Sequence, residues 1–337
     1  MVGHIYDWVV TPVIKLFIKD TTFCFQRSKI RAFLMNLKLK RVIRKYPDED
    51  LYFVIADNLN PYKYTSSRCV MLTDWTYEFE ITRDQKKSID CLEKFFHKLQ
   101  IEMMKKAYAN ILMRAECQDY IMDNYDDIYV CPFDNNVVNC LVESINENEI
   151  LQKKMESNKV VFLGAPRYIK GAEQLVNCIE QNYAVLKNYE FYFIGISEND
   201  IEKNNLKTDN CFFMGYLYKG DPQSREKYYD LISHAKVCIN TNDDFVSIAS
   251  LMEAGYLYTP AIVSRNYQTI RCYGEENLFV KYSLNEPQDI MKNITYFVDM
   301  DTNEYRKACI ASRKFFEQKT WKQVIATWIE NDFGKRA

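Results

Sequence analysis

The second half of the chain alternates short apolar runs with helix-length amphipathic segments, and this alternation constrains the fold more than any other feature. The apolar runs predict strands over residues 160–164, 190–195, 211–214, 236–240 and 261–264. Helices are predicted over 172–187, 224–234 and 246–255, and again from 286 to about 333. Strands that are joined by helices pair in parallel, so the pattern predicts a doubly wound sheet with helices on both faces.

The first half carries a similar but less regular series. Strands are predicted over 51–56, 69–73, 109–114 and 128–132, and helices over 85–104 and 116–125. A chain of 337 residues is long enough for two domains of about 150 residues each. The polar segment 146–158 lacks a strand pattern, and we expect the interdomain linker there. The expected divisions are an N-terminal domain over 1–148, a second domain over 149–310 and C-terminal helices over 311–337 that cross back to the first domain.

Composition and charge exclude several function classes. The formal net charge is −2, so no global field attracts nucleic acid, and we expect no nucleic-acid partner. Eleven cysteines occur without a CxxC pair, and several lie inside apolar runs, which favours reduced, buried thiols. With three histidines we expect no metal site. No signal-peptide pattern or bilayer-spanning apolar run is present, so we expect a cytoplasmic protein.

The loop after the strand at 160–164 is a candidate phosphate site. The strand ends in Gly164, the loop carries Arg167 and Lys170, and Gly171 opens a helix. In a doubly wound sheet, ligands bind beyond the carboxyl ends of the strands, and cations beside a helix N-terminus attract phosphate. The alternative is an ordinary solvated loop, in which a Lys and an Arg are common.

A second candidate segment follows the strand at 236–240. Asp244 leads into a helix whose first turns contain Ser247, Ile248 and Ala249, and Glu253 lies near its end. Small residues there would let a ligand approach the free backbone N–H groups. Glu253 can accept hydrogen bonds from a diol. The alternatives are that Asp244 is a plain N-cap and that Glu253 is a surface carboxylate.

These segments form an ordered series with further motifs of the second half. The series runs Lys170–Gly171, YEFYFIG at 189–195, FMGYL at 213–217, LMEAG at 251–255, TPAIV at 259–263 and Thr320–Trp321. It resembles the donor-binding domain of GT-B glycosyltransferases, specifically the large retaining family that includes bacterial polysaccharide and lipid glycosylating enzymes. The resemblance covers about residues 108–333. It implies an α/β fold of two Rossmann-like doubly wound domains with a deep interdomain cleft.

The resemblance also implies a function. The chain would move a sugar from a nucleoside-diphosphate sugar to a hydroxyl of a glycan, polysaccharide or lipid-linked acceptor, with retention of configuration. The sugar nucleotide is a co-substrate, and no cofactor is expected. Arg167 and Lys170 would stabilise the departing diphosphate, and Glu253 would hold the ribose. The implied donor-binding residues are Gly164, Lys170, Asp244, Ser247, Ile248, Ala249 and Glu253.

Three departures from the family pattern keep alternatives open. Phe245 stands where the family has the first of two glutamates, and Asp244 is its neighbour. Ala165 replaces the usual phosphate-binding Arg, with Arg167 two residues further on. The Gly-rich loop of the acceptor domain is missing. The alternatives are a non-catalytic GT-B scaffold or partner module, and a nucleotide-sugar epimerase of the same fold.

Two features of the first half complete the set. Asp74 follows the strand at 69–73, with Trp75 available to stack on a sugar, and Asp74 is predicted to be catalytic; the alternative is a helix cap. Residues 27–45 form a basic amphipathic helix with Phe33, Leu34 and Leu37 on its apolar face. It predicts peripheral contact with an anionic membrane at the inner face. There are two alternatives for this helix. It could pack on the sheet with its charges solvated, or it could line a groove for an anionic acceptor or an acidic partner protein.

One further pattern is a decoy. Asp299 and Asp301 resemble a metal-binding DxD motif, but they lie near the C-terminus, ahead of the closing helices. A solvated turn is the expected structure there.

Overall fold

The computed structural model describes residues 2–18, 21, 23–54, 59–84, 88–131, 137–142, 145–201, 209–243 and 248–330. It divides into two compact units, Met1–Asn135 (unit 1) and Asn136–Ala337 (unit 2). No helix within the described ranges combines the length and apolar character needed to cross a bilayer.

Unit 1 contains a parallel sheet of three strands in the order β1-β2-β3. Cys69–Leu72 of the central strand are buried, as expected for a parallel sheet that is covered on both faces. The elements in chain order are α1 (Val2–Phe17), α2 (Lys29–Lys45), β1 (Leu51–Val54), β2 (Arg68–Thr73), α3 (Tyr77–Phe79), α4 (Glu93–Lys106), β3 (Ala109–Leu112) and α5 (Ala115–Asn124).

Two predictions for unit 1 were wrong in detail. Residues 85–87 of the helix predicted over 85–104 lie outside the described residues, and in the described part the helix begins at Glu93. Asp90 accepts from the backbone N–H groups of Leu92 and Glu93 at 2.8 Å and so stabilises this start. The strand predicted over 128–132 is only an isolated bridge between Asn110 and Val130. The other predicted strands of this unit are present.

Unit 2 is built on a six-stranded parallel sheet in the order β6-β5-β4-β7-β8-β9. Its strands are β4 (Lys159–Leu163), β5 (Glu190–Ile194), β6 (Cys211–Gly215), β7 (Val237–Asn240), β8 (Ala261–Ser264) and β9 (Val280–Ser283). Its helices are α6 (Glu147–Met155), α7 (Ile169–Gln181), α8 (Tyr183–Leu186), α9 (Pro222–His234), α10 (Ile248–Tyr256), α11 (Tyr267–Tyr273), α12 (Pro287–Val298), α13 (Thr302–Glu317) and α14 (Trp321–Trp328). β9 and α11 were not predicted.

Helices cover both faces of this sheet, which confirms the predicted doubly wound arrangement. Alternate residues of β4 point to opposite faces, so Val160 and Phe162 pack with α7 and α12. Val161 and Leu163 pack with α9 and α10 on the other face. The chain order reverses between β4 and β7, which are neighbours in the sheet but distant in sequence.

The segment predicted as an interdomain linker is instead mostly a helix of unit 2. Asn146 caps α6 by accepting from the N–H of Glu149 at 3.3 Å. The side chain of Lys154 on this helix is completely buried. The two compact units separate earlier in the chain, after Asn135.

The DxD-like pattern forms the turn that the sequence predicted. Asp301 caps α13 by accepting from the N–H groups of Asn303 and Glu304. Among the described residues, no group of three or more His, Cys, Asp or Glu is placed to hold a metal ion.

Candidate functional site

The candidate site of unit 2 lies where β4 and β7 end side by side. The Asn240 amide Nδ2 donates to the Leu163 carbonyl at 2.6 Å, and the same side chain accepts from the Asn242 N–H at 3.2 Å. This side chain therefore ties the loop after β4 to the loop after β7. Because α7 and α10 leave from these two loops toward opposite faces, a crevice is expected between them.

Two glycines permit the close packing of this region. A Cβ on Gly171 would lie 2.9 Å from the backbone nitrogen of Asn242, so the first turn of α7 lies directly against the loop after β7. Gly195, at the end of β5, has φ +88°, and a Cβ there would lie 2.0 Å from the Gly164 carbonyl oxygen. The positive φ and the close approach both require glycine.

The two predicted phosphate-binding cations are both exposed beside this turn. Lys170 lies in the first turn of α7, and its ammonium forms no hydrogen bond or ion pair with the described residues. Arg167 donates from Nη2 to the Tyr168 hydroxyl at 2.5 Å, and its guanidinium lies 4.8 Å from the centre of that ring. Lys170 can thus contact an anion without breaking a contact to the described residues, whereas Arg167 is hydrogen-bonded to the buried Tyr168.

Thr241 adds a polar group that the sequence reasoning missed. It is fully buried at the carboxyl end of β7, and its hydroxyl has no hydrogen-bond partner among the described residues. A buried hydroxyl without a partner costs free energy, about 1–3 kcal/mol on protein mutational scales. A ligand oxygen in the crevice could satisfy it.

The start of α10 is described only in part. The predicted donor-binding residues Asp244 and Ser247, and the departure at Phe245, lie outside the described residues. Ile248 is buried in the core beside the sheet, so its side chain packs and only its backbone could face a ligand. Ala249 is exposed.

Glu253 is not a surface carboxylate; it is 1% exposed, and both of its oxygens are engaged. Oε1 accepts from the Lys219 ammonium at 2.6 Å, and Oε2 accepts from the Tyr228 hydroxyl at 2.9 Å. Burial raises the pKa of Glu253, and the bonds from Lys219 and Tyr228 oppose this rise. Burial and the neighbouring carboxylate hold the pKa of Tyr228 well above its usual value, so it remains a donor.

The Glu253 pairing brings a third loop to the site. Lys219 follows β6, and its side chain is one-third exposed (33%), so one end of the ion pair reaches solvent. The loop also carries Tyr216 and Tyr218, which are 76% and 61% exposed. Exposed aromatic rings beside a cation suit a flat, polar ligand such as a nucleobase. Sequence reasoning missed Lys219, for which the FMGYL motif just before it was the available signal.

Unit 1 contains a separate pocket at the carboxyl end of β2. Its cavity volume is about 460 Å³. The lining mixes aromatic, cationic and acidic side chains, namely Arg27, Arg31, Asp74, Trp75, Tyr77, Glu80 and Phe96. The Arg27 guanidinium pairs with Glu80 at 2.8 Å and lies 4.4 Å from the centre of the Tyr77 ring.

The structure places Asp74, exposed, at the edge of this pocket. It does not cap the next helix, because Thr76 does so by accepting from the Phe79 N–H at 3.3 Å. The carboxylate of Asp74 lies 4.0 Å from Arg114, whose buried guanidinium stacks 3.9 Å from the centre of the Trp75 ring. The Arg114 guanidinium thus contacts both the Asp74 carboxylate and the Trp75 ring.

Comparison with solved structures identifies the fold. TarM of S. aureus, in a complex that includes UDP, matches over 87% of this chain with TM-score 0.56 and 14% identity. Sucrose-phosphate synthase of Thermosynechococcus elongatus matches over 92% of this chain and 80% of its own, with TM-score 0.60 and 13% identity. WaaG, a glycosyltransferase involved in lipopolysaccharide biosynthesis, matches over 90% and 95%, with TM-score 0.55 and 11% identity.

These similarities show that the chain has the GT-B fold, which confirms the predicted fold class. The chain spans 57% of the length of TarM. No protein-family model matches this sequence, and no curated protein is significantly similar to it.

Proposed function

We propose that this protein is a glycosyltransferase whose unit 2 binds a nucleoside-diphosphate sugar and whose unit 1 binds a hydroxyl acceptor. The observation that carries the proposal is the arrangement where β4 and β7 end. There the first turn of α7 lies against the loop after β7, and among the described residues neither the Lys170 ammonium nor the buried Thr241 hydroxyl has a partner. Helix N–H groups and a cation together form a site for phosphate.

The proposed chemistry is stabilisation of the leaving group. A bond forms between the acceptor oxygen and the anomeric carbon as the bond from that carbon to the diphosphate breaks. The acceptor proton passes to a departing phosphate oxygen or to solvent. Negative charge develops on the diphosphate, and Lys170 and the α7 N–H groups would offset it, each charge-assisted contact contributing about 1.5–3 kcal/mol. Arg167 would join by reaching past Tyr168.

Glu253 would serve the ribose end of the donor. Glu253 is 1% exposed, so a ribose hydroxyl would approach it from the side of Lys219, whose side chain is 33% exposed. Lys219 would shift to admit the hydroxyl and would continue to offset the charge of the carboxylate, while Tyr228 remains a donor to it. The exposed Tyr216 would stack on the base.

The acceptor would occupy the pocket of unit 1. Trp75 supplies an aromatic face, and Asp74 an exposed carboxylate that can accept from a sugar hydroxyl. This mixture suits a glycan, a polysaccharide or the sugar of a lipid-linked acceptor. Retention of configuration, with attack on the face from which the diphosphate leaves, follows from the resemblance of the motifs to the retaining family.

Calorimetry with the diphosphates of uridine, guanosine and adenosine tests donor binding directly. UDP is the first choice, because the TarM structure is a complex that includes UDP. A panel of sugars linked to the nucleoside diphosphate that binds is then tested. The slow hydrolysis of each nucleotide sugar is measured in the absence of an acceptor. Lys170→Ala should weaken binding and hydrolysis, whereas Lys187→Ala, an exposed lysine beyond α8, should change neither.

A second candidate is a non-catalytic module of the same fold. The contacts of Glu253 favour this second candidate, because both carboxylate oxygens already accept hydrogen bonds from within the protein. This candidate predicts nucleotide binding without hydrolysis of any sugar in the panel. Absence of nucleotide binding altogether would contradict the glycosyltransferase proposal.

A further inference from the structure

Helix α1 exposes an apolar face that unit 1 does not cover. Trp8, Leu16 and Phe17 are 82%, 77% and 83% exposed, and Val9 and Val13 are about half exposed. At 100° per residue, these positions lie on one side of the helix. The other side carries the buried Thr11 and the half-buried Ile14, and the half-buried Val10 lies at the edge between the two sides. Apolar residues therefore lie on both sides of the helix, while only one side is packed.

This helix is held in place by specific contacts. Asp7 Oδ1 accepts from the Phe25 N–H at 2.7 Å and from the Thr11 hydroxyl at 3.1 Å. The Tyr6 ring lies 5.7 Å from that of Phe25, centre to centre. These contacts fix the inner side of α1 on the segment that leads into α2, and the outer side stays in solvent.

The next helix, α2, combines a similar apolar stripe with positive charge. Ile30 and Phe33 are 48% and 63% exposed, and Leu34 and Leu37 are each 38% exposed. The helix sequence KIRAFLMNLKLKRVIRK holds seven basic residues and no acidic one. Its buried residues, Ala32 and Ile43, show that one side of α2 packs on unit 1. The apolar residues named above are on the part of the helix that stays exposed.

We propose that α1 and α2 dock this protein on the surface of an anionic lipid bilayer. The exposed side of α1, with Trp8, Leu16 and Phe17, would enter the interfacial region, and the basic residues of α2 would contact the headgroups. Charge selects this occupant over a second copy of the chain, because two α2 helices would repel each other. The inference does not depend on the proposed transferase activity.

Vesicle co-sedimentation of the full chain tests the docking. Binding is expected to vesicles that contain phosphatidylglycerol and not to pure phosphatidylcholine, and high salt should release the protein because it screens the attraction. Lys38 and Arg41 are exposed and pair with no described residue. Their double change to Gln should weaken binding roughly 25-fold, about fivefold for each charge removed.

The apolar arm uses α1 itself. Trp8→Ser with Leu16→Ser should weaken vesicle binding at least about tenfold. The matched control is Leu284→Ser in unit 2, where an equally exposed leucine (73%) should be neutral. Trp8→Phe should still sediment but lose the quenching of tryptophan fluorescence by brominated lipid. Circular dichroism confirms that each variant is folded.

Three results would overturn the proposal. One is that the protein stays in the supernatant with anionic vesicles at low salt. The second is that the double variant Trp8→Ser with Leu16→Ser sediments like the native chain. The third is that this double variant abolishes a concentration-dependent dimer seen by ultracentrifugation, which would assign the face to a second copy. Nucleotide calorimetry on the same variants should be unchanged, so failure here is separable from failure of the proposed function.

Discussion

The ammonium of Lys154 offers a measurable test of how unit 2 is assembled. It is completely buried and donates to the Ala235 carbonyl at 3.1 Å, to the Ile232 carbonyl at 3.4 Å and to the Thr259 hydroxyl. It thereby joins α6 to the end of α9 and to Thr259, which lies two residues before β8. The perturbation is Lys154→Met, which keeps most of the side-chain length and removes the charge and the donors.

The magnitude follows from the pKa of Lys154. Burial lowers it from 10.5 to about 8. Between these values the unfolded chain binds the proton and the folded chain does not, so the Lys154 contribution to the unfolding free energy rises with pH. The full rise is about 3 kcal/mol, of which about 2 kcal/mol falls between pH 7 and pH 9.5. Lys154→Met lacks this contribution.

Urea unfolding of both proteins, followed at pH 7 and at pH 9.5, measures the difference. Tyrosines and cysteines of the unfolded chain also titrate in this range, but they are common to both proteins and cancel in the comparison. In the folded chain, burial raises the pKa of the two thiols nearest Lys154, those of Cys238 and Cys309, so they remain protonated. We expect the native chain to gain about 2 kcal/mol over Lys154→Met between the two pH values. A difference that does not change with pH would refute the reasoning, because it would mean that Lys154 keeps an ordinary pKa.

The remaining predictions concern the candidate site. Lys170→Ala and Arg167→Ala should each lower turnover at least about tenfold, since a lost phosphate contact is worth about 1.4 kcal/mol or more. Glu253→Gln should weaken binding of the nucleoside diphosphate in calorimetry, because an amide accepts less well than a carboxylate. Lys219→Met should lower thermal stability by leaving Glu253 buried without its cation, and Glu253→Gln should restore part of that loss. Gly171→Ala should weaken nucleotide affinity, because its Cβ would displace the first turn of α7 from Asn242.

Each of these has a contrary outcome. Wild-type turnover in folded Lys170 and Arg167 variants would remove them from the site. Unchanged nucleotide affinity in Glu253→Gln would leave Glu253 a structural residue. If Lys219→Met and the double variant Lys219→Met with Glu253→Gln lose equal thermal stability, the unpaired charge of Glu253 is not the cause of the loss. Native affinity in Gly171→Ala would mean that the α7 turn does not contact the ligand.

The sequence by itself determined most of the local elements of unit 2, but not α6, α11 or β9. Strand runs and helix periodicity depend on neighbours a few positions apart, so the strands from β4 to β8 and the helices between them could be read directly. Gly164, Lys170 and Gly171 were identifiable for the same reason, since a strand end, a cation and a helix start are local. The segment at 146–158 was misread because its polar pattern hides a helix with a buried lysine.

The tertiary structure alone decided which residues meet. Lys219 and Glu253 are 34 positions apart, and Lys154 and Thr259 are 105 apart, so no periodicity connects them. The reversal of strand order between β4 and β7, where a crevice is expected, is set by how helices pack on the two faces of the sheet. The same holds for α1, whose apolar residues the sequence shows but whose exposure depends on what the rest of unit 1 leaves uncovered.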